Sequence, residues 1–575
     1  MNLALKDFSQ AFIKFKASWM KFSRTIWIND EYDSTSSHSW TKESVKETFA
    51  YGIPNETCFP REMFELDRER LLLADRYGGR GIGTNGGGGR IGIIGDCQIK
   101  GVGQNPLVGN RDNQWHSYGG QSLINAVLEA INSTVFGHIL PLGTIKCLGI
   151  IFTGTDTAYM PSGGWDDERG PGALLIRELC MRPAHFLRAP GFQMQEEYRD
   201  ELLGDVERVR CLNKQLRNVM GDHENVVQFL ATFLSNCADQ FVFARIFGIH
   251  HGVLSPSNIS LDGRWIDLTN ISFVGSGINF TEDHELVTFY DEMHVVLQYI
   301  NEFVHTYAKY NHIDFDIRPL EEYYHREVDA CFVYYAATLF GLAAKNAEDI
   351  KPDDPYITLV SALKKVLSTN PAYVVASPVG FHSDGPTVMF VERMFRGLGN
   401  EGPSDDDLCK SFHQTVLSAY RSSNVDFSFS SFVVLSAIKS LKKAYFSSFF
   451  TRGRIVAQLL RLVKEEDPEF FAGYIDGYTV VAKWMFQGES CAEEVLFKSE
   501  RVNLSYAAND KTYRIELDGT VMQRIVSAKG LSAWIEKQRE QFFSIDNYDF
   551  KPGLLRLLSR LEELEVIGDQ ERSVA

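Results

Sequence analysis

A chain of 575 residues, 44% hydrophobic and 12% aromatic, is too long for one ordinary core and apolar enough to bury two or three. Its formal charge of -17 argues against general attraction to nucleic acid or anionic lipid, since phosphate binding relies on clustered Lys and Arg, so an anionic ligand must meet a local basic site. The nine cysteines are scattered, odd in number and free of any C-x-x-C pair, which argues against a disulfide framework or a zinc site. With no leader and no uninterrupted apolar run of membrane-spanning length, the expectation is a soluble cytoplasmic protein without a transmembrane segment.

In chain order, LALKDFSQAFIKFKASWMKF sets Leu5, Phe8, Phe12, Phe15 and Trp19 at three- and four-residue steps, which predicts an amphipathic helix within an N-terminal helical extension over residues 1–60. LDRERLLLADRY reads as helix. GGRGIGTNGGGGR is a glycine-dense turn, IGIIGDCQIK alternates as a strand does, QSLINAVLEAINSTVF returns to helical spacing, and TIKCLGIIFTG is again strand-like. Glycine turn, strand, helix, strand is the order of a kinase-type small lobe, placed over residues 61–190. Beyond it helices dominate, from NVVQFLATFLSNCADQFVFARIFG, which Gly248 should stop, through a large lobe over 191–400. The Gly-, Pro- and Asp-rich stretch RGLGNEGPSDDDLCK, residues 396–410, marks a subdomain boundary, its acidic run suiting a solvated helix N-terminus better than a metal site. A helical C-terminal extension is expected over 401–575. The fold class is therefore α+β.

Gly81, Gly83 and Gly86 satisfy G-x-G-x-x-G, but a dinucleotide site needs a strand before the glycines and a helix directly after, and here strand text follows. Gly86 to Gly89 with Arg90 read instead as a tight turn between strands whose backbone amides can approach a phosphate. Lys100, at the end of the next strand, offers a point charge to nucleotide phosphates. Further on, HHGVLSPSN, residues 250–258, has the frame of a kinase catalytic loop without its acid, Val253 standing at the base position. Asn258 and Asp267, on either side of a hairpin turning at Asp262-Gly263, have the spacing of a pair that holds a divalent cation on nucleotide phosphates.

These motifs, in this order, resemble the selenoprotein O family, kinase-fold pseudokinases that transfer AMP from an inverted ATP. Gly87-Gly88-Gly89-Arg90 matches the family's glycine-aspartate-glycine-arginine turn, Cys97 to Gly103 its lysine strand, HGVLSPSNIS its metal loop, and Ile266-Asp267 the start of its metal strand; the resemblance covers about residues 75–275. It implies ATP with Mg²⁺ or Mn²⁺ as cofactors, Asn258 and Asp267 as metal ligands, and a nucleotide site of Gly87, Gly88, Gly89, Arg90, Lys100, Arg177 and Arg188. The family's lysine-bracing glutamate falls on Ala126 by gapless alignment, with Glu129 one helical turn on as its replacement. The family's substitute base is Ser257 here, and its C-terminal cysteine or selenocysteine has no counterpart in DQERSVA.

A hydroxyl acceptor must lose a proton, and a positioned base contributes about 10²–10⁴-fold to such a step; a carboxylate, with a pKa of about 4, is ionised already. Loss of both acids therefore favours AMP transfer to a carboxylate, a peptide C-terminus or small acid, in a biosynthetic setting such as microcin-type peptide maturation with an acyltransferase-like second subunit. The alternatives are AMPylation of Ser, Thr or Tyr hydroxyls on a protein, and a nucleotide-binding pseudokinase scaffold. His250 or His251 is a conceivable base, though the histidine of such loops more often holds the loop by hydrogen bonding.

Overall fold

The computed structural model describes residues 4–32, 39–55, 58–109, 117–161, 168–273, 278–279, 289–351, 354–368, 372–373, 385–399, 406–486, 492–538, 544–545 and 548–567. Its architecture is mixed helix and antiparallel sheet. Phe12–Met20 (β1), Arg24–Ile28 (β2), Tyr51–Gly52 (β3), Phe64–Asp75 (β4), Ile91–Ile94 (β5), Cys97–Lys100 (β6), Cys147–Phe152 (β7) and Ala173–Glu178 (β8) form one sheet in the order β2-β7-β8-β6-β5-β4-β1-β3. Every neighbouring pair in it is antiparallel.

The strand period of two sorts its side chains between two cores. On β8, Leu174 and Ile176 enter the smaller core with Phe15, Leu72 and Ile99, while Ala173 and Leu175 enter the larger one under Leu123–Ile139 (α2, following α1 at Lys42–Phe49). Helix α2 starts at an N-cap, Ser122, whose hydroxyl accepts the Asn125 N–H, and is buried along nearly its whole length, as its apolar text predicts.

The N-terminal helix expected over residues 1–60 is not formed. Ile13, Phe15 and Ala17 alternate with exposed Lys14 and Lys16, so this text satisfies a period of two as well as it satisfies 3.6, and pairing with β4 along Phe12↔Asp75 to Ser18↔Glu69 decides for strand. The same pairing makes LDRERLLLAD a strand rather than a helix. The described part of residues 1–60 thus extends the sheet at both edges and carries the short helix α1.

The longer helices that follow among the described residues are Asp205–Met220 (α3), His223–Ile246 (α4), Val295–Asn311 (α5), Arg318–Leu339 (α6), Pro355–Ser368 (α7), Pro386–Gly399 (α8), Asp407–Ser422 (α9), Phe429–Phe446 (α10), Arg452–Glu465 (α11), Phe470–Phe486 (α12), Ala528–Lys537 (α13) and Lys551–Glu565 (α14). Helix α4 is capped by Asp222 and followed by Gly248 at φ 75°, the expected stop. By length and composition α4 could cross a membrane, but half of its apolar window is buried and it packs along α6. Asp406, of the acidic run, caps α9 through the Leu408 N–H, while residues 400–405 of that stretch lie outside the described residues.

The C-terminal extension is not wholly helical. Glu493–Lys498, Val502–Ala507, Thr512–Leu517 and Thr520–Ile525 make a four-stranded antiparallel meander, because apolar residues recur at every second position, Val502, Leu504 and Tyr506 on one strand and Tyr513 and Ile515 on the next, and the strands are joined by tight turns. This region also braces the sheet: α12 packs on α2, and Trp27 Nε1 donates to Asp476 Oδ1 at 3.1 Å.

Candidate functional site

Two strands, one helix and one loop converge on a buried charge cluster. Gln98 and Lys100 point to the same face of β6, and the register sets Arg177 of β8 opposite Gln98, so all three reach toward α2. Lys100 Nζ lies 2.7 Å from Glu129 Oε2 and 2.6 Å from Asp267 Oδ1. The Arg177 guanidinium bonds the other Glu129 oxygen and lies 2.8 Å from the same Asp267 Oδ1. Two cations thus share two carboxylates. Asp267 alone of the four keeps appreciable exposure, 24% of its side chain against 6% for Lys100 and 2% for Arg177 and Glu129. A ligand would reach the cluster through it.

Burial by itself would raise the Asp267 carboxyl, but Arg177 and Lys100 reverse the sign and hold it well below the usual carboxylate range. Its backbone is in the left-handed region at φ 60° and ψ 57°, sparsely populated by residues other than glycine and Asn or Asp, as found where structure is arranged around a site. Asn132, one turn beyond Glu129 on α2, donates to the Leu268 carbonyl at 2.7 Å, so one helix carries both the glutamate and the clamp on the Asp267 loop.

A second layer was not foreseen from the sequence. Gln98 accepts from Arg177 Nε at 3.2 Å and from Arg182 Nη2 at 3.0 Å, and donates to Asp75 Oδ2 at 2.6 Å. Arg182 Nη1 reaches the Ser257 carbonyl at 2.9 Å, tying the loop to the sheet. His185 Nδ1 accepts the Arg182 N–H, so its Nε2–H donates to Asp75 Oδ1 at 2.8 Å. Burial pushes the Asp75 carboxyl up, and His185 and Arg182 together bring it below its ordinary value. Gln98 was open to discovery as the residue two before Lys100 on the same face; Arg182 was hidden because two arginines, Arg182 and Arg188, fit the local text. Arg188 lies outside the cluster, half exposed, with its guanidinium 3.7 Å from Asp205.

The loop at 250–258 is rigidly held. Ile249–His250 (β9) pairs with Ser272–Phe273 (β10), and the hairpin between Asn258 and Ile266 turns at Asp262-Gly263 as expected, with Ile259 bridged to Trp265. Buried Glu292 accepts the N–H groups of His251 and Gly252 at 3.1 and 2.9 Å and pairs with Arg245 at 2.7 Å. Nothing in the sequence around Glu292 announces this anchor. Glu292→Ala should cost about 3–5 kcal/mol in denaturant unfolding, because it strands the buried Arg245 charge as well as two amides.

His251 Nε2 bonds the Ile266 carbonyl at 3.1 Å, and burial lowers the pKa of His251 and brings His250 down to about 4, so both rings are neutral at neutral pH. The expected loop-holding histidine is therefore His251. Asn258 turns its Nδ2 to the Val253 carbonyl at 2.7 Å and accepts from Ser257 Oγ at 3.2 Å, and Ser257 shares a 2.9 Å bond with Ser255.

The glycine turn does connect two strands, β4 and β5. Its glycines answer to crowding first: a Cβ on Gly87, at φ 138°, would lie 2.3 Å from the Asp75 carbonyl, and one on Gly86 would meet the Phe192 ring. The Gly86, Gly88 and Gly89 amides are bonded to Leu107, Asp75 and Gly87 carbonyls. Arg90 Nη1 reaches the Gly120 carbonyl at 3.2 Å. The structure thus unites Lys100, Glu129, Arg177 and Asp267, keeps Asn258 on the adjoining hairpin, and sets Arg90 and Arg188 on partners of their own. Among the described residues no group of three or more His, Cys, Asp or Glu could by itself hold a metal ion.

No protein-family model matches the chain. The chain is similar to the protein nucleotidyltransferase YdiU of Cytophaga hutchinsonii, with 25% identity over 203 residues. That match takes in 34% of this chain and 36% of the other, so the chain spans little more than a third of the curated relative it matches.

Proposed function

We propose that this chain is an ATP-dependent nucleotidyltransferase of kinase-like fold whose acceptor is a carboxylate. The observation that carries the reading is the Lys100–Glu129 pair closed onto Asp267, the arrangement by which kinase-type sites set a lysine on the phosphates and an aspartate on the bridging cation. The strand order β7-β8-β6-β5-β4, with Lys100 on the central strand, supports the same fold. So does the glutamate helix lying between β6 and β7 in sequence.

ATP would bring negative charge to Lys100 and Arg177 and release Asp267 from them. Asp267 and Asn258 are hard oxygen donors suited to Mg²⁺ or Mn²⁺, but two protein ligands bind such an ion weakly, so nucleotide and metal are expected to enter together. When bound, the ion would neutralise charge developing on the phosphates. Arg177 and Lys100 would hold the phosphates in line for attack at the α-phosphorus. A carboxylate oxygen forms the new P–O bond, the bond to the β-phosphate breaks, and pyrophosphate leaves; no proton changes hands.

Val253 and Ser257 stand where a base would, Ser257 is bonded to Ser255 and Asn258, and the neighbouring histidines are held elsewhere. An anionic acceptor needs none of these as a base, which favours acyl-adenylate formation over modification of hydroxyls. Product analysis with α-labelled ATP tests the transfer, and hydroxylamine lability separates an acyl-adenylate from a stable phosphodiester. Ser257→Asp should leave carboxylate transfer unchanged or slow it by placing like charge beside the acceptor. A several-hundredfold gain on a hydroxyl-bearing protein would establish the AMPylating alternative instead. A peptide C-terminus or small acid as acceptor, and a partner acyltransferase of the microcin-maturation kind, are the biosynthetic setting in which an acyl-adenylate is useful.

A further inference from the structure

Away from the charge cluster, a cavity of about 40 Å³ lies where the end of α4, α6, α8, α10 and α12 meet β10. Its walls are mostly apolar, with Phe247, Phe273, Leu339 and Phe486 among them, and into it project Lys443 of α10 and Thr387 of α8. The Lys443 ammonium lies 5.3 Å from the Phe247 ring centre and 5.7 Å from that of Phe486. Its neighbour Lys442 is satisfied by Glu494 and by the Trp484 and Val495 carbonyls at 3.0 and 3.1 Å. Among the described residues neither the Lys443 amine nor the Thr387 hydroxyl has a hydrogen-bond partner, and Lys443 pairs with no carboxylate.

An ammonium held against two aromatic faces, with Glu494 attracting it only from a distance while paired to Lys442, carries a desolvation cost that cation–π attraction offsets only in part. Burial, then the nearby Lys442 charge, brings the Lys443 pKa down to about 8, so at neutral pH the group is still mainly charged. A cation and a free hydroxyl donor therefore face a small chamber with apolar walls. The chamber has room for more than one water-sized group, a water needing about 10–15 Å³, but not for a phosphate ester with a nucleoside attached.

We infer that this cavity is a binding site for a small monovalent anion, a halide or a short-chain carboxylate, held by Lys443 and Thr387 against Phe247 and Phe486. Nucleotide phosphates are excluded by size, so the site is separate from the Lys100 cluster and stands or falls independently of the nucleotidyltransferase reading.

The test is thermal unfolding of the full chain at constant ionic strength, titrated separately with sodium bromide, sodium acetate and sodium sulfate. The wild-type Tm should rise and saturate with bromide, acetate or both, and sulfate should give no saturating rise. In Lys443→Met, which keeps the packing and removes the charge, the saturating rise should vanish while the starting Tm is unchanged or higher. Thr387→Val should weaken the midpoint several-fold and provides a second route should the lysine variant fail to fold. Crystals soaked in bromide should show an anomalous peak beside Lys443 Nζ. A halide response alone identifies a halide site, and an acetate response alone a carboxylate site. No saturating response in the wild type, or an equal response in Lys443→Met, overturns the proposal and leaves Lys443 as a packing residue.

Discussion

Asp267→Ala should abolish Mg²⁺-dependent ATP binding and, in the absence of metal, tighten it. Asp267 Oδ1 is the shared partner of Lys100 and Arg177, so its removal leaves Glu129 as the one carboxylate paired with both cations. The lost attraction lowers stability toward the lower end of the roughly 3–5 kcal/mol typical of a broken buried pair, because Glu129 still faces both cations. Freed of the competing carboxylate, Lys100 and Arg177 are more available to metal-free phosphates, while the cation loses its one charged protein ligand. Calorimetry of ATP binding in Mg²⁺ and in EDTA reads both effects. Unchanged Mg-ATP affinity in the variant would mean that Asp267 serves the fold alone.

The low pKa of the Asp267 carboxyl also gives a sign to the pH response. A carboxyl depressed in the folded state contributes stability that is present above its unfolded value of about 4 and is lost as pH falls through the folded one. Asp75, depressed by His185 and Arg182, works in the same direction. The cluster is therefore a point of acid lability, and Asp267→Ala should flatten part of the stability loss seen below about pH 4.

Much of this site was legible because motifs of fixed spacing fold locally. IGIIGDCQIK closes as a two-residue hairpin at Gly95-Asp96, which fixes Lys100, and Asn258 to Ile266 closes as a hairpin with a three-residue loop, which fixes Asp267. The family resemblance points to Ala126 for the lysine's glutamate, and Glu129, one helical turn on along α2, is the carboxylate on the same side. What escaped was set by distant pairing. Residues 12–20 carry apolar side chains compatible with helix or strand, and only β4, some fifty residues on, decides between them. Arg182 and Glu292 act through carbonyls and amides, Ser257 O and the His251 and Gly252 N–H groups, which leave no trace in side-chain text. The C-terminal meander is masked in the sequence by the long helices on either side of it, although its strands alternate as clearly as those of the main sheet.

Lys100→Ala should produce the largest loss of activity with a smaller loss of stability than its burial suggests. Lys100 is 5% exposed and loses two ion pairs on truncation, yet Glu129 and Asp267 remain joined through Arg177, so no carboxylate of the cluster is stranded. Charge on the α-phosphate oxygens grows as the acceptor attacks, and a preorganised donor aimed at that charge is worth about 10²–10³-fold in kcat when it is removed. The fall should therefore appear in kcat more than in the ATP dissociation constant, where Arg177 persists. Arginine is a poor substitute: its fork is longer, and the space beside Glu129 is already taken by the Arg177 guanidinium. Glu129 acts on this reaction by orienting Lys100, so Glu129→Gln alone should reduce kcat, whereas adding it to Lys100→Ala should reduce kcat little further. A double variant whose losses simply multiply would instead give Glu129 a role independent of the lysine, through Arg177, the other cation it touches.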